Sequence, residues 1–136
     1  MCRYFPQLRI ASLRYHMCKA DYYEASKFSR HLSLWGWVSL DGCARAALQG
    51  LTSEGWAGHE TFILASNNIC WEGGLDPDQR FNGERPGSLE LLERLWKDRY
   101  NNVDKAWWDD NPRRGFFDTS KARNLLGWEH DDDVRG

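Results

Sequence analysis

The sequence predicts a mixed α/β fold on three observations. Residues 8–16 (LRIASLRYH) and 59–65 (HETFILA) carry the apolar, β-branched and aromatic content of strands. Between them an alanine-rich segment places Ala44, Ala46, Ala47, Leu48 and Leu51 at helical offsets. Further on, SLELLERLWKDR from Ser88 reads as a second, amphipathic helix.

The elements follow in order. Residues 8–16 come after Pro6 and suit a buried strand. Residues 17–34 are polar, aromatic and irregular, a loop with a helical turn, and lead into a short strand at 34–40 (LWGWVSL). A helix over 42–53 is expected next, with Asp41 placed to accept from the free N–H groups at its start. Gly55 and Gly58 punctuate a turn before strand 59–65.

Residues 66–87 contain Gly73, Gly74, Pro77, Gly83, Pro86 and Gly87, the composition of a long surface loop. Ser88 then caps a helix whose Leu89, Leu92 and Trp96 share a face, with Leu91 and Leu95 beside them and Lys97 and Arg99 suited to its C-terminal end. After a polar loop to Gly115, Asp118, Thr119 and Ser120 are cap-type residues for a short helix over 119–126, and Gly127 is placed for a left-handed stop. The tail from His130 through Asp133 reads as a solvated, frayed end, and 131–136 is set apart as an acidic tail. A lone histidine beside flexible carboxylates lacks the preorganisation of a metal site, so no metal is expected.

Composition narrows the function classes. A chain of 136 residues with 41% hydrophobic and 28% charged residues matches one ordinary globular domain. The net charge of −2 gives no large positive field for nucleic acid. No apolar run reaches the roughly 20 residues that cross a bilayer, and the N-terminus has no apolar signal core, so no membrane partner and a cytoplasmic location are expected. The four cysteines, Cys2, Cys18, Cys43 and Cys70, are widely spaced and read as reduced, mostly buried thiols. Most of the eight tryptophans belong in the core, each with an indole N–H that wants an acceptor.

Four blocks, RIASLRYH, LWGWVSLDGCARAAL, GHETFILAS and FFDTSKARNLLGWEH, resemble in this order the C-terminal region of the extended short-chain dehydrogenase/reductases, the NAD-dependent epimerase/dehydratase family. The last is the most specific, with Asp118, Ser120, Lys121, Ala122, Leu126, Gly127 and Trp128 matching a closing Asp-x-Ser-Lys-Ala and Leu-Gly-Trp pattern. The resemblance implies a partial Rossmann-like fold: a C-terminal substrate-binding lobe over 1–130, with a few strands and about three helices.

By the same resemblance the intact family member binds NAD or NADP through a glycine-rich turn that brings backbone N–H groups to the pyrophosphate. No such turn occurs in these residues, so no cofactor is expected for this chain alone. Family catalysis uses a Tyr and a Lys four residues later, ahead of the RIASLRYH strand. Tyr23 and Lys27 have that spacing but follow the strand, and on a helix they are an ordinary surface pair, so no catalytic residue is assigned.

The positions that best match pocket-lining ones are Arg14, Tyr15 and His16 at the end of the first strand and Trp35 and Trp37 in the second block. Open α/β sheets place ligands at the carboxyl ends of their strands. Each of the five also has a plain packing or anchoring alternative. The resemblance therefore implies a fragment carrying the substrate side of an NAD(P)-dependent epimerase, dehydratase or reductase, with a small-molecule substrate, a nucleotide sugar among the candidates, and no activity alone. The alternative from a different class is a non-catalytic interaction module that self-associates through an exposed apolar face. A hydrolase built on His16, His31, His59 or His130 finds no Gly-x-Ser-x-Gly motif.

Overall fold

The computed structural model describes residues 5–28, 31–71, 86–97 and 102–130. These form a mixed α/β structure. In chain order the elements are β1 (Ile10–Tyr15), β2 (Cys18–Lys19), α1 (Tyr22–Phe28), a 3-10 turn (His31–Ser33), β3 (Val38–Ser39), α2 (Leu40–Thr52), β4 (His59–Leu64), α3 (Ser88–Trp96), a second 3-10 turn (Lys105–Trp108) and a closing helix with widened, π-type turns (Ala122–Leu126).

β1 and β4 pair in parallel, from Ile10 opposite His59 to Tyr15 opposite Leu64. β2 and β3 also run parallel, with Cys18 opposite Val38 and Lys19 opposite Ser39. Parallel strands need a crossover rather than a tight turn; α2 lies within the one from β1 to β4, and α1 within the one from β2 to β3. Ala46 of α2 meets Phe62 and Leu64 of β4 and Val38 of β3 in one core. Ala122, Leu126 and Trp128 close that core from the C-terminal side. The Trp128 indole N–H donates to the Gly42 carbonyl at 2.9 Å, and the Ser53 hydroxyl donates to the Leu125 carbonyl at 2.7 Å. The closing segment thus docks along α2.

A second core gathers Trp35, Ile69, Trp71 and Leu91, and a third holds Ala25, Trp37 and Cys70. The helix expected over 42–53 and the strand over 59–65 are present within a residue or two of those bounds. Gly127 has a φ of 71°, the left-handed stop expected there.

Several expectations change. The strand over 34–40 shrinks to Val38–Ser39, because Leu34 and Trp35 have φ of 48° and 53°, outside the strand region, and Leu40 already belongs to α2. Ser39, not Asp41, caps α2: its hydroxyl accepts the Gly42 N–H at 2.8 Å, while Asp41 pairs with Arg45 one turn on. Ser88 is inside α3 rather than its cap, and its hydroxyl donates to the Arg114 carbonyl at 2.6 Å. In α3 the fully buried face is Leu91 and Leu92, with Leu95 and Trp96 partly covered.

The loop expected over 66–87 begins as core, since Ser66, Ile69, Cys70 and Trp71 are buried; 72–85 lie outside the described residues. His130 is also buried, at 3% exposure, its ring 4.8 Å from that of Trp37, so the solvated tail cannot start there. Residues 131–136, like Arg99, lie outside the described residues. Cys18 is exposed, against the expectation of mostly buried thiols. Among the described residues no helix is long and apolar enough to cross a membrane.

Candidate functional site

A cleft of about 480 Å³ lies beyond the carboxyl end of β4. Asn67 reaches it three residues after β4 ends, and Phe117 carries it across to His16, the residue that follows β1. The rings of Trp107 and Phe117 line it, with the amide side chains of Asn67 and Asn111. Arg114, Arg123 and the turn Asp118-Thr119-Ser120 complete the lining.

Local bonding explains why these side chains converge. The Gly115 N–H donates to the Asn67 carbonyl at 2.7 Å, which brings the 107–117 segment alongside the chain leaving β4. A Cβ at Gly115 would sit 3.0 Å from the Ser66 carbonyl oxygen, so the close approach favours glycine. The Asn111 side-chain amide donates to Asn68 Oδ1 at 2.7 Å. Arg114 donates from Nη1 to the Trp107 carbonyl at 2.7 Å and from Nη2 to Asp110 at 2.6 Å, and its guanidinium lies 4.9 Å from the centre of the Trp107 ring. The Trp107 indole N–H donates to the Gly115 carbonyl at 3.0 Å, which fixes the ring. Behind this wall the Arg113 guanidinium bridges the carbonyls of Pro86, Ile69 and Trp71.

Asp118 accepts the Ser120 N–H at 2.8 Å, but it precedes the closing helix, whose cap, Lys121, makes no side-chain capping bond. Hydrogen bonds from the Ser120 side chain and backbone hold the Asp118 carboxyl below the usual value; burial opposes this and the Arg123 charge assists. Arg123 also pairs with Glu129. Carboxylates thus accompany both guanidinium groups, and the lining offers hydrogen bonds and stacking faces rather than a surplus of positive charge.

The expected site residues are distributed around this cleft. His16 is half-buried and packs on Phe117 with ring centroids 4.3 Å apart. Its Nε2 lies 2.7 Å from the Ser33 carbonyl, which can only accept, so Nε2 carries the proton. Arg14 and Tyr15 are exposed at the end of β1. The Tyr15 hydroxyl donates to the Cys43 carbonyl at 3.1 Å. Burial first, then the charges of Cys43 and Cys18, push its phenol above the ordinary value. Trp35 and Trp37 have no exposed surface and form part of the two smaller cores. Among the described residues no acceptor reaches either indole N–H.

Of the five, His16 is the one whose ring packs on a ring of the lining, that of Phe117. Tyr23 and Lys27 share a face of α1, with Lys27 Nζ 3.6 Å from the centre of an exposed Tyr23 ring. Sequence reasoning missed Asn67, Trp107, Asn111 and Arg114. The available signal was the polar run Asp109-Asp110-Asn111-Pro112-Arg113-Arg114 set between the aromatic pairs Trp107-Trp108 and Phe116-Phe117. Among the described residues no three side chains group as metal ligands. No family model, curated protein or solved structure matches the chain.

Proposed function

We propose that this chain forms the substrate-side wall of an NAD(P)-dependent cleft of the extended short-chain dehydrogenase/reductase kind, acting on a hydroxyl or keto group. Dinucleotide binding and the proton-transferring Tyr and Lys belong to residues other than these, so the chain alone is catalytically inactive. The observation that carries the reading is a cleft lined by Asn67, just beyond the carboxyl end of β4, and by Phe117, which packs on His16 just beyond that of the parallel strand β1; open α/β sheets bind ligands outside such ends.

The sheet supports it as well. Parallel sheets are normally covered on both faces and extended by several strands, whereas among the described residues β1 and β4 form a sheet of two. Of the residues at the end of β1, His16 packs on the lining residue Phe117 and would border the substrate. Aromatic faces with amides, hydroxyls and paired guanidinium groups suit a polyhydroxylated small molecule, and a nucleotide sugar is the narrower proposal.

Fluorescence titration with NADH and NADPH tests the division of labour. No saturable binding is expected; micromolar saturable binding would overturn it. A second reading, a non-catalytic module that self-associates, is favoured by one feature of α2. Leu40, Leu48 and Leu51 are 59%, 61% and 79% exposed and, with exposed Ala44, share a face. Sedimentation across protein concentration tests that reading.

A further inference from the structure

Cys18 on β2 and Cys43 in the first turns of α2 are 25 residues apart in sequence, yet their sulfur atoms lie 3.5 Å apart. Neither is in a disulfide, and Cys70, the other described cysteine, is buried with its thiol donating to the Trp35 carbonyl. Cys18 is exposed and Cys43 half-buried, so a reagent in solvent meets Cys18 first.

We infer that Cys18 and Cys43 form a redox-active dithiol that closes reversibly to an intramolecular disulfide when it meets a low-molecular-weight disulfide such as glutathione disulfide. The Cys18 thiolate attacks one sulfur of the reagent, forms a mixed disulfide and expels one glutathione thiolate. The Cys43 thiolate then attacks Cys18 Sγ, the Cys18–glutathione bond breaks and the second glutathione thiolate leaves. The two protons of the protein thiols end on the two glutathione molecules, and two electrons pass from the protein to the reagent.

The geometry favours the second step. The sulfurs need to approach from 3.5 Å to a bond of about 2.0 Å, a shift that can fall on one side of the pair. The first turn of α2 is held by the Ser39 cap and by Trp128 on the Gly42 carbonyl. β2 is only two residues long and follows Met17, whose φ is 35°. The movement therefore falls on β2. The Tyr15 hydroxyl on the Cys43 carbonyl keeps the end of β1 beside the pair.

The test treats the whole chain, wild type and the variants Cys18→Ser and Cys43→Ser, with glutathione disulfide, followed by acid quench, alkylation and peptide mass mapping without reduction. Wild type is expected to lose two hydrogens and give a Cys18–Cys43 linked peptide, reversed by dithiothreitol. Cys43→Ser is expected to keep one glutathione on Cys18, and Cys18→Ser to react about tenfold more slowly because the oxidant's access governs exchange. A wild-type chain that holds glutathione on Cys18 under excess reagent without internal closure, or that links through Cys18 to a second copy, overturns the inference. The wild-type result decides the matter even if a variant fails to fold.

Discussion

Trp128 offers the sharpest perturbation of the fold that positions the cleft. Its ring is 1% exposed and packs with Val38, Ala46, Phe62 and Leu64, and its N–H donates to the Gly42 carbonyl. Replacement by Phe keeps most of the buried ring and removes the donor. The Gly42 carbonyl lies inside α2 and retains its place in the helical ladder, so the cost is one net hydrogen bond plus a small void, about 1–2 kcal/mol. Trp128→Ala removes the ring itself and should cost about 3–5 kcal/mol. Domains commonly have about 5–15 kcal/mol of stability in all, so the alanine variant should be visibly close to unfolding. Urea denaturation followed by far-ultraviolet circular dichroism measures both. An alanine variant within about 0.5 kcal/mol of wild type, the range of a neutral surface change, would refute the docking of the closing segment on α2.

Gly36→Ala should loosen the cleft wall, because a Cβ there would lie 2.8 Å from His16 Cδ2 and 2.9 Å from Phe117 Cε2. The overpacking should cost about 1–3 kcal/mol, read by urea denaturation, with displaced His16 and Phe117 resonances. Asp118 has a lowered carboxyl pKa in the fold, so its contribution is present above the ordinary value of 3.8 and fades as pH falls through the lower folded value. Asp118→Asn should therefore be less stable than wild type near neutral pH, with the gap shrinking below pH 3.8, as measured by denaturation at several pH values. Oxidation of Cys18 and Cys43 would close a loop of about 26 residues and, by chain entropy, raise stability by about 3.5 kcal/mol. Thermal melts of the oxidised and reduced forms check this.

The sequence made most of the backbone plan readable where periodicity and caps agree. β1, α2, β4 and α3 follow apolar patterns with boundaries shifted by one or a few residues, and Gly127 stops the last helix as its position suggested. It failed where tertiary contacts overrule local preference. Trp35 and Trp37 sit in an aromatic stretch that reads as strand, but the chain bends at Leu34 and Trp35 to deliver both indoles into separate cores. His130 reads as the head of an acidic tail, yet Trp37 and Trp128 cover its ring.

The cleft was less legible than the fold for a related reason. Its walls come largely from a loop without periodicity, and Asn67 and Asn111 are placed by long-range bonds that no local pattern announces, the Gly115 N–H on the Asn67 carbonyl and the Asn111 amide on Asn68. Spacing along the chain also hid the thiol pair, since the parallel pairing of β2 with β3 is what brings Cys18 over the start of α2.

The tryptophan indole N–H resonances, followed while a nucleotide sugar is titrated into the chain, test the central claim most directly. Trp107 lines the cleft, whereas Trp35 and Trp37 lie in the core with no exposed surface. A saturable shift of the Trp107 signal with Trp35 and Trp37 unmoved is the expected result. An unmoved Trp107, with shifts at Trp35 or Trp37 or at none of the eight, would contradict a substrate wall beyond the carboxyl end of β4.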